Sequence, residues 1–82
     1  MNNNDKLMLE IVDKIKHLPF NVETTIAELI NYNPDELFIE PLTQGQILNE
    51  VVAMCRKENI FIESNRDEIG GLAFYRKFTK IY

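Results

Sequence analysis

The chain has 82 residues, a hydrophobic fraction of 45% and a formal net charge of −4. This length predicts one domain, because so short a chain buries only about 60% of its unfolded surface, and no apolar run approaches the ~20 residues that span a bilayer. The single cysteine, Cys55, excludes an internal disulfide and predicts a reducing compartment, so we expect a cytoplasmic protein without an export signal.

A first helix is predicted over residues 5–17, with residues 1–4 frayed. Its apolar stripe has helical spacing. The stripe consists of Leu7, Met8, Ile11, Val12, Ile15 and Leu18. Pro19 disfavours helical backbone at the residue before it and should end the helix.

A very short strand is predicted around Phe20 and Val22, where apolar and polar residues alternate. A second helix follows over 26–31, because Thr25 and Glu28 have the spacing of a capping box. Residues 33–38 contain Pro34 and predict a helical turn or an irregular loop.

A third helix is predicted over residues 44–58. Thr43 and Gln46 repeat the capping-box spacing. One apolar face results from Ile47, Leu48, Val51, Val52 and Cys55. Asn59 suits the left-handed conformation that ends many helices.

Two antiparallel strands are predicted to close the chain. The segments 60–64 and 71–82 are rich in aromatic and β-branched residues, and the polar and glycine residues 65–71 suit a hairpin loop. The predicted fold class is therefore α+β, with three helices, a short N-terminal strand and a C-terminal hairpin.

This order of elements resembles the winged-helix variant of the helix-turn-helix fold, from about Asp5 to Ile81. The ending "GLAFYRKF" also resembles small bacterial or phage proteins of an uncharacterised family. The winged-helix resemblance implies a regulatory protein that binds DNA through helix 44–58 and a basic wing. The expected contact residues are Gln44, Gln46, Asn49, Arg66, Arg76, Lys77 and Lys80.

The charge distribution supports a different hypothesis. Residues 1–55 carry three basic and nine acidic side chains, whereas 56–82 carry six basic and four acidic ones. No lysine or arginine lies between Lys16 and Arg56, although a helix in the major groove normally has cations near phosphates. The alternative is an acidic protein-interaction module, a docking or inhibitor protein, that binds a basic partner and no nucleic acid. Asp35, Glu36 and Glu40 then form a partner-facing acidic loop.

The wing itself has two interpretations. Its aromatic and basic residues suit a groove in which bases stack. Alternatively Phe74 and Phe78 pack on the helices, while the cations keep an edge strand soluble, and we favour this second interpretation.

Neither an enzyme nor a bound cofactor or metal is predicted. One histidine and one cysteine supply no zinc-binding spacing. We expect His17 to complement the helix dipole and Cys55 to be a buried apolar residue. The stripe of helix 5–17 has more apolar positions than one small core requires, which predicts a homodimer contact there.

Overall fold

The computed structural model describes residues 3–64 and 72–82. Within these residues the fold is α+β, with three α-helices and a three-stranded antiparallel sheet. The helices are α1 (Asn3–Lys16), α2 (Ile26–Ile30) and α3 (Pro41–Lys57). The strands are β1 (Glu23–Thr24), β2 (Phe61–Ser64) and β3 (Phe78–Ile81), and a short 3-10 helix spans Ala73–Tyr75.

Helix α1 begins two residues earlier than predicted. Asn3 and Asn4 belong to its first turn, so α1 includes two of the four residues that were expected to fray. At its end, the His17 ring Nδ1 lies 2.8 Å from the Asp13 carbonyl oxygen. The histidine therefore contacts the last turn of the helix.

Helix α2 begins with the predicted cap at Thr25, whereas the Glu28 carboxylate accepts a hydrogen bond from the Thr24 hydroxyl at 3.1 Å. The Thr25 hydroxyl accepts a hydrogen bond from the Glu28 amide at 3.1 Å, which satisfies an amide that has no partner within the helix. Asn31 then adopts the left-handed conformation, with φ of 51°, and ends the helix.

Helix α3 does not begin at the predicted capping box. Its first residue is Pro41, whose fixed φ and missing amide hydrogen suit the first helical position, and the Gln44 amide already donates to the Glu40 carbonyl at 2.9 Å. The capping role predicted for Thr43 was wrong. The predicted stop is confirmed, because Asn59 has a φ of 60°.

The sheet has the order β1–β3–β2, so β3 is the central strand and not an edge. The predicted antiparallel pairing of the last two strands is confirmed, with Phe61 opposite Ile81 and Ser64 opposite Phe78. The first strand lies later than predicted, because Asn21 takes a left-handed turn with φ of 64° and leaves Phe20 and Val22 exposed.

The 3-10 helix interrupts the predicted last strand, yet the predicted packing of Phe74 and Phe78 against the helices is confirmed, whereas Tyr75 and Tyr82 are exposed. Phe74 and Phe78 are both buried. They join one core with residues from all three helices, among them Ile11, Ile15, Ile26 and Val51. The helices thus cover the inner side of the sheet, where Phe78 and Lys80 lie.

Candidate functional site

Gln44 was expected to face solvent as a base-reading residue, and this expectation was wrong. Its side chain is buried. The amide nitrogen donates to the Ile39 carbonyl at 2.9 Å, and the amide oxygen accepts from the Phe74 backbone amide at 3.2 Å. Gln44 therefore joins three chain segments inside the protein.

Lys80 is also unavailable as a surface cation. Its ammonium is buried beside the end of α1, where it donates to the carbonyls of Lys16 (2.9 Å) and Leu18 (3.1 Å). It also lies 4.8 Å from the centre of the Phe20 ring, which favours a cation. The expected place of Lys80 in a basic wing surface is corrected accordingly.

The remaining predicted contact residues lie in different settings. Gln46 and Asn49 are exposed on α3. Lys77 is exposed and forms an ion pair with Glu23 on β1 at 3.8 Å, and Arg76 is half-buried. Arg66 lies outside the described residues. The basic surface of the described chain is therefore smaller than the sequence predicted.

Two lysines of α1 are also held by the protein itself. Lys14 donates to the Leu29 carbonyl at the end of α2, at 2.9 Å. Lys16 binds Glu58 at 2.8 Å, and this hydrogen bond raises the pKa of Lys16. These contacts hold α1 against its neighbours and reduce the positive charge offered to a ligand.

The apolar stripe of α1 is used by the domain's own core. Ile11, Val12 and Ile15 are buried, and Leu7, Met8 and Leu18 pack against the same core. The stripe of helix 5–17 therefore contacts the domain's own core, while Leu9 on the same helix is exposed, and the homodimer stays a prediction.

Three large apolar side chains are exposed where the connection after α2 leads into the first turn of α3. Leu37, Phe38 and Leu42 are 60%, 66% and 74% exposed. We call these three residues the loop patch. Sequence reasoning missed it, although "ELFIEPL" carries a signal, namely apolar residues in a proline-containing segment without helical spacing.

Hydrogen bonds anchor the backbone on both sides of the loop patch. Before it, the amides of Glu36 and Leu37 donate to the Asn33 carbonyl. After it, the Ile39 amide donates to the Tyr32 hydroxyl at 2.9 Å, and the Ile39 carbonyl accepts from Gln44. Leu37 and Phe38 are therefore exposed on a segment of defined conformation.

The surroundings of the loop patch are acidic. Asp35, Glu36 and Glu40 are exposed and, within residues 3–64 and 72–82, none of them forms an ion pair. No lysine or arginine occurs in residues 17–55, and Lys6 of α1 is the lysine that lines the adjoining groove together with Glu40. The combination is an apolar centre with a negatively charged rim.

A shallow groove of about 430 Å³ adjoins the loop patch. One wall is formed by the first turns of α1 and the other by the residues that precede and begin α3. Its lining includes Asn4, Lys6, Leu7, Glu10, Phe38, Ile39 and Glu40. Glu10 forms an ion pair with Lys14, one turn further along α1, at 3.7 Å.

No cluster of three metal-binding side chains occurs in the part of the chain that the structure describes. None of its helices is both long and apolar enough to cross a bilayer. The comparison with protein-family models gives no match, and no curated protein or solved structure matches the chain significantly.

Proposed function

We propose that the protein is an acidic protein-interaction module, without enzymatic activity, that docks a basic segment of a partner protein onto the loop patch. The observation that carries this proposal is the exposure of Leu37, Phe38 and Leu42 on an anchored backbone. A cytoplasmic location belongs to the proposal, since Cys55 has no second cysteine with which to form an internal disulfide.

The apolar side chains supply the affinity in this proposal. Fully burying a leucine or phenylalanine contributes about 1.5–3 kcal/mol, and a few such anchors carry most of the binding energy of a protein interface. Because the segment is already ordered, little conformational entropy is lost when a partner covers it.

The carboxylates supply selectivity. Rim charges steer a complementary partner toward the site and repel a partner of like charge. Asp35, Glu36 and Glu40 therefore favour a segment that carries lysine or arginine beside its apolar residues.

The test is a selection of displayed peptides on the immobilised full-length chain. We expect enriched peptides to combine large apolar residues with a positive net charge, and Phe38→Ser to weaken their binding at least tenfold. Phe61→Ser is the matched control, because Phe61 is also an exposed phenylalanine but lies on β2. Peptides that bind the Phe38→Ser protein as well as the original protein would contradict the proposal.

A second candidate is the winged-helix, DNA-binding regulator. It is favoured by the exposed amides of Gln46 and Asn49 on α3, since such side chains can contact adenine edges. It is disfavoured by the long connection of residues 31–40 between α2 and α3, because helix-turn-helix proteins join these helices through a turn of about 3–4 residues.

A fluorescence-anisotropy titration with random duplex DNA across a salt series distinguishes the two candidate functions. DNA binding predicts micromolar affinity that falls steeply with salt, with a smaller salt slope after Arg76→Ala and Lys77→Ala together. We expect no binding at low salt, because the chain has a net charge of −4 and four lysines of its described part, Lys14, Lys16, Lys77 and Lys80, are held by other groups of the protein.

A further inference from the structure

The hydrogen bonds of β3 determine which backbone groups of β2 are free. The Lys80 carbonyl accepts from the Asn21 amide at 2.9 Å, so the backbone groups of Lys80 point toward β1. Ile62 of β2 lies opposite Lys80, and hydrogen-bonded and non-bonded pairs alternate along an antiparallel ladder. The bonded pairs between β2 and β3 are therefore those of Phe61 and Glu63. The amide and carbonyl of Ile62 point away from β3.

Ile62 and Ser64 give β2 an open sheet edge, because alternate residues direct their backbone groups to the same side. In the part of the chain that the structure describes, β2 is the last strand of the sheet, and no other segment forms a backbone hydrogen bond with either residue. Proteins usually protect such edges with lysine, proline or a bulge. Strand β2 contains neither lysine nor proline and keeps a continuous register with β3 over its four residues.

The side chains of β2 restrict what can cover this edge. Phe61 is 41% exposed and lies opposite Ile81, on the side of the sheet that faces away from the helices. Glu63 is exposed on the same side, two residues further along the strand. An added antiparallel strand must therefore offer Phe61 an apolar contact and must not place a second carboxylate opposite Glu63.

A second copy of β2 meets both conditions. When two β2 strands pair antiparallel with Ile62 opposite Ile62, the amide of each Ile62 faces the carbonyl of the other. Phe61 then lies opposite Glu63 of the second copy, and the two Phe61 residues are diagonal neighbours at about 7–8 Å, within reach of aromatic side chains. A pair centred on Glu63 would instead place two carboxylates opposite each other, which is destabilising.

We propose that the chain forms a symmetric homodimer through antiparallel pairing of two β2 strands, centred on Ile62. The two three-stranded sheets then form one sheet of six strands. The contact between two four-residue strands is smaller than a stable dimer buries, so the association is weak. This inference goes beyond the proposed function and does not use the loop patch, so either can fail without the other.

Sedimentation equilibrium of the full-length chain tests the dimer. The protein should be mainly monomeric at about 10 µM and mainly dimeric at about 1 mM, as expected for a small interface. Phe61→Glu places a carboxylate opposite Glu63 in both halves of the contact and should weaken association at least tenfold. Leu9→Glu is the matched control, because Leu9 is similarly exposed, at 46%, but lies on α1. It should change the dimer Kd less than twofold.

A charge reversal tests the register. In the double variant Phe61→Glu and Glu63→Lys, each new glutamate lies opposite a lysine of the second copy, and association should recover at least fivefold relative to Phe61→Glu alone. The control combines Phe61→Glu with Glu50→Lys, which gives the same net charge from an exposed position on α3. This control should not recover, because its lysine lies outside the strand pair.

Hydrogen exchange of the original chain tests the same contact without any substitution. The amides of Phe61 and Glu63 bond to β3 and should exchange slowly at every protein concentration. The Ile62 amide is free in the monomer, so its exchange should slow at least fivefold between about 10 µM and about 1 mM.

Four results would overturn the inference. The first is a chain that stays monomeric at about 1 mM, which is already high for a weak interface. The second is a dimer that Leu9→Glu dissociates and Phe61→Glu does not, because α1 would then form the contact. The third is equal recovery in the two double variants, which would indicate a general effect of net charge. The fourth is exchange of the Ile62 amide at the same rate at both concentrations.

Discussion

Gln44 determines how the loop patch is held to the domain. Its buried amide satisfies the Ile39 carbonyl and the Phe74 amide, so replacing it with leucine leaves two buried backbone groups without partners. Each such group costs about 1–3 kcal/mol, and we expect Gln44→Leu to lower the free energy of unfolding by about 2–4 kcal/mol in urea denaturation. Gln46→Leu, on the exposed side of α3, should change it by less than about 0.5 kcal/mol. Equal stability of the two variants would contradict the assigned contacts.

The buried thiol of Cys55 should make the free energy of unfolding decrease as the pH rises into the alkaline range. Burial raises the pKa of its thiol, and the nearby Glu58 carboxylate adds to this effect. The native state therefore keeps the thiol protonated after the unfolded chain has begun to ionise. The contribution of this thiol to the free energy of unfolding is therefore fully present below the ordinary thiol pKa of the unfolded chain. It is lost as the pH rises through the raised pKa of the folded protein.

The check is urea denaturation across pH 7–10 for the original protein and for Cys55→Ala. The original protein should lose more stability than the variant as the pH rises, because only the original protein carries the thiol. Parallel curves would show that Cys55 does not titrate differently in the two states.

The sequence could not show which of the two glutamines at the start of α3 is buried. Gln44 lies within the same polar stretch, TQGQ, as Gln46, and nothing in their spacing distinguishes the buried amide from the exposed one. The distinction depends on Ile39 and Phe74, and Phe74 is distant in sequence. By contrast, burial of Cys55 and Phe78 followed from apolar spacing and was predicted correctly.

At the level of elements, one of the two threonines that were predicted to cap a helix does so and the other does not. Thr25 caps α2, whereas Thr43 lies within α3, two residues after Pro41. Thr25→Ala should therefore cost about 1 kcal/mol, and Thr43→Ala less than about 0.5 kcal/mol. Thermal unfolding of both variants distinguishes these outcomes, and a larger loss at Thr43 would contradict the observed start of α3.

Lys80 connects the central strand to the end of α1. Its two hydrogen bonds satisfy the carbonyls of Lys16, the last residue of α1, and of Leu18, which follows the helix, and Lys80→Met would remove this charged donor from both. We expect a loss of about 1–3 kcal/mol. Lys77→Met is the control, since its exposed pair with Glu23 should contribute less than about 1 kcal/mol. A Lys80→Met protein of unchanged stability would show that the ammonium has no such role.

The order and type of the long elements could be predicted from local patterns, because apolar spacing and turn residues act over short stretches. The placement of β1 could not. A two-residue strand is stabilised by pairing with β3 and not by its own sequence. The 3-10 helix at Ala73–Tyr75 was missed for a similar reason, since its aromatic residues also favour strands.

At the scale of the whole molecule, charge and apolar exposure favour the same function. The acidic segment 17–55 contains the loop patch, whereas four of the described lysines are held by carbonyls or carboxylates of the protein. Binding of a basic partner should therefore weaken with salt through the rim charges but persist through the apolar contacts. We expect Kd of a selected peptide to rise only a fewfold between 50 and 500 mM NaCl in calorimetric titrations. Complete loss of binding would indicate that the apolar contacts contribute nothing.

The location of the binding surface can be measured by NMR titration of the isotope-labelled full-length chain with a selected peptide. We predict that the largest amide shift changes occur at residues 36–43 and in the first turns of α1, while Gln46, Asn49 and Lys77 change little. Changes concentrated at Gln46, Asn49 and Lys77, with residues 36–43 unaffected, would contradict a docking role for the loop patch.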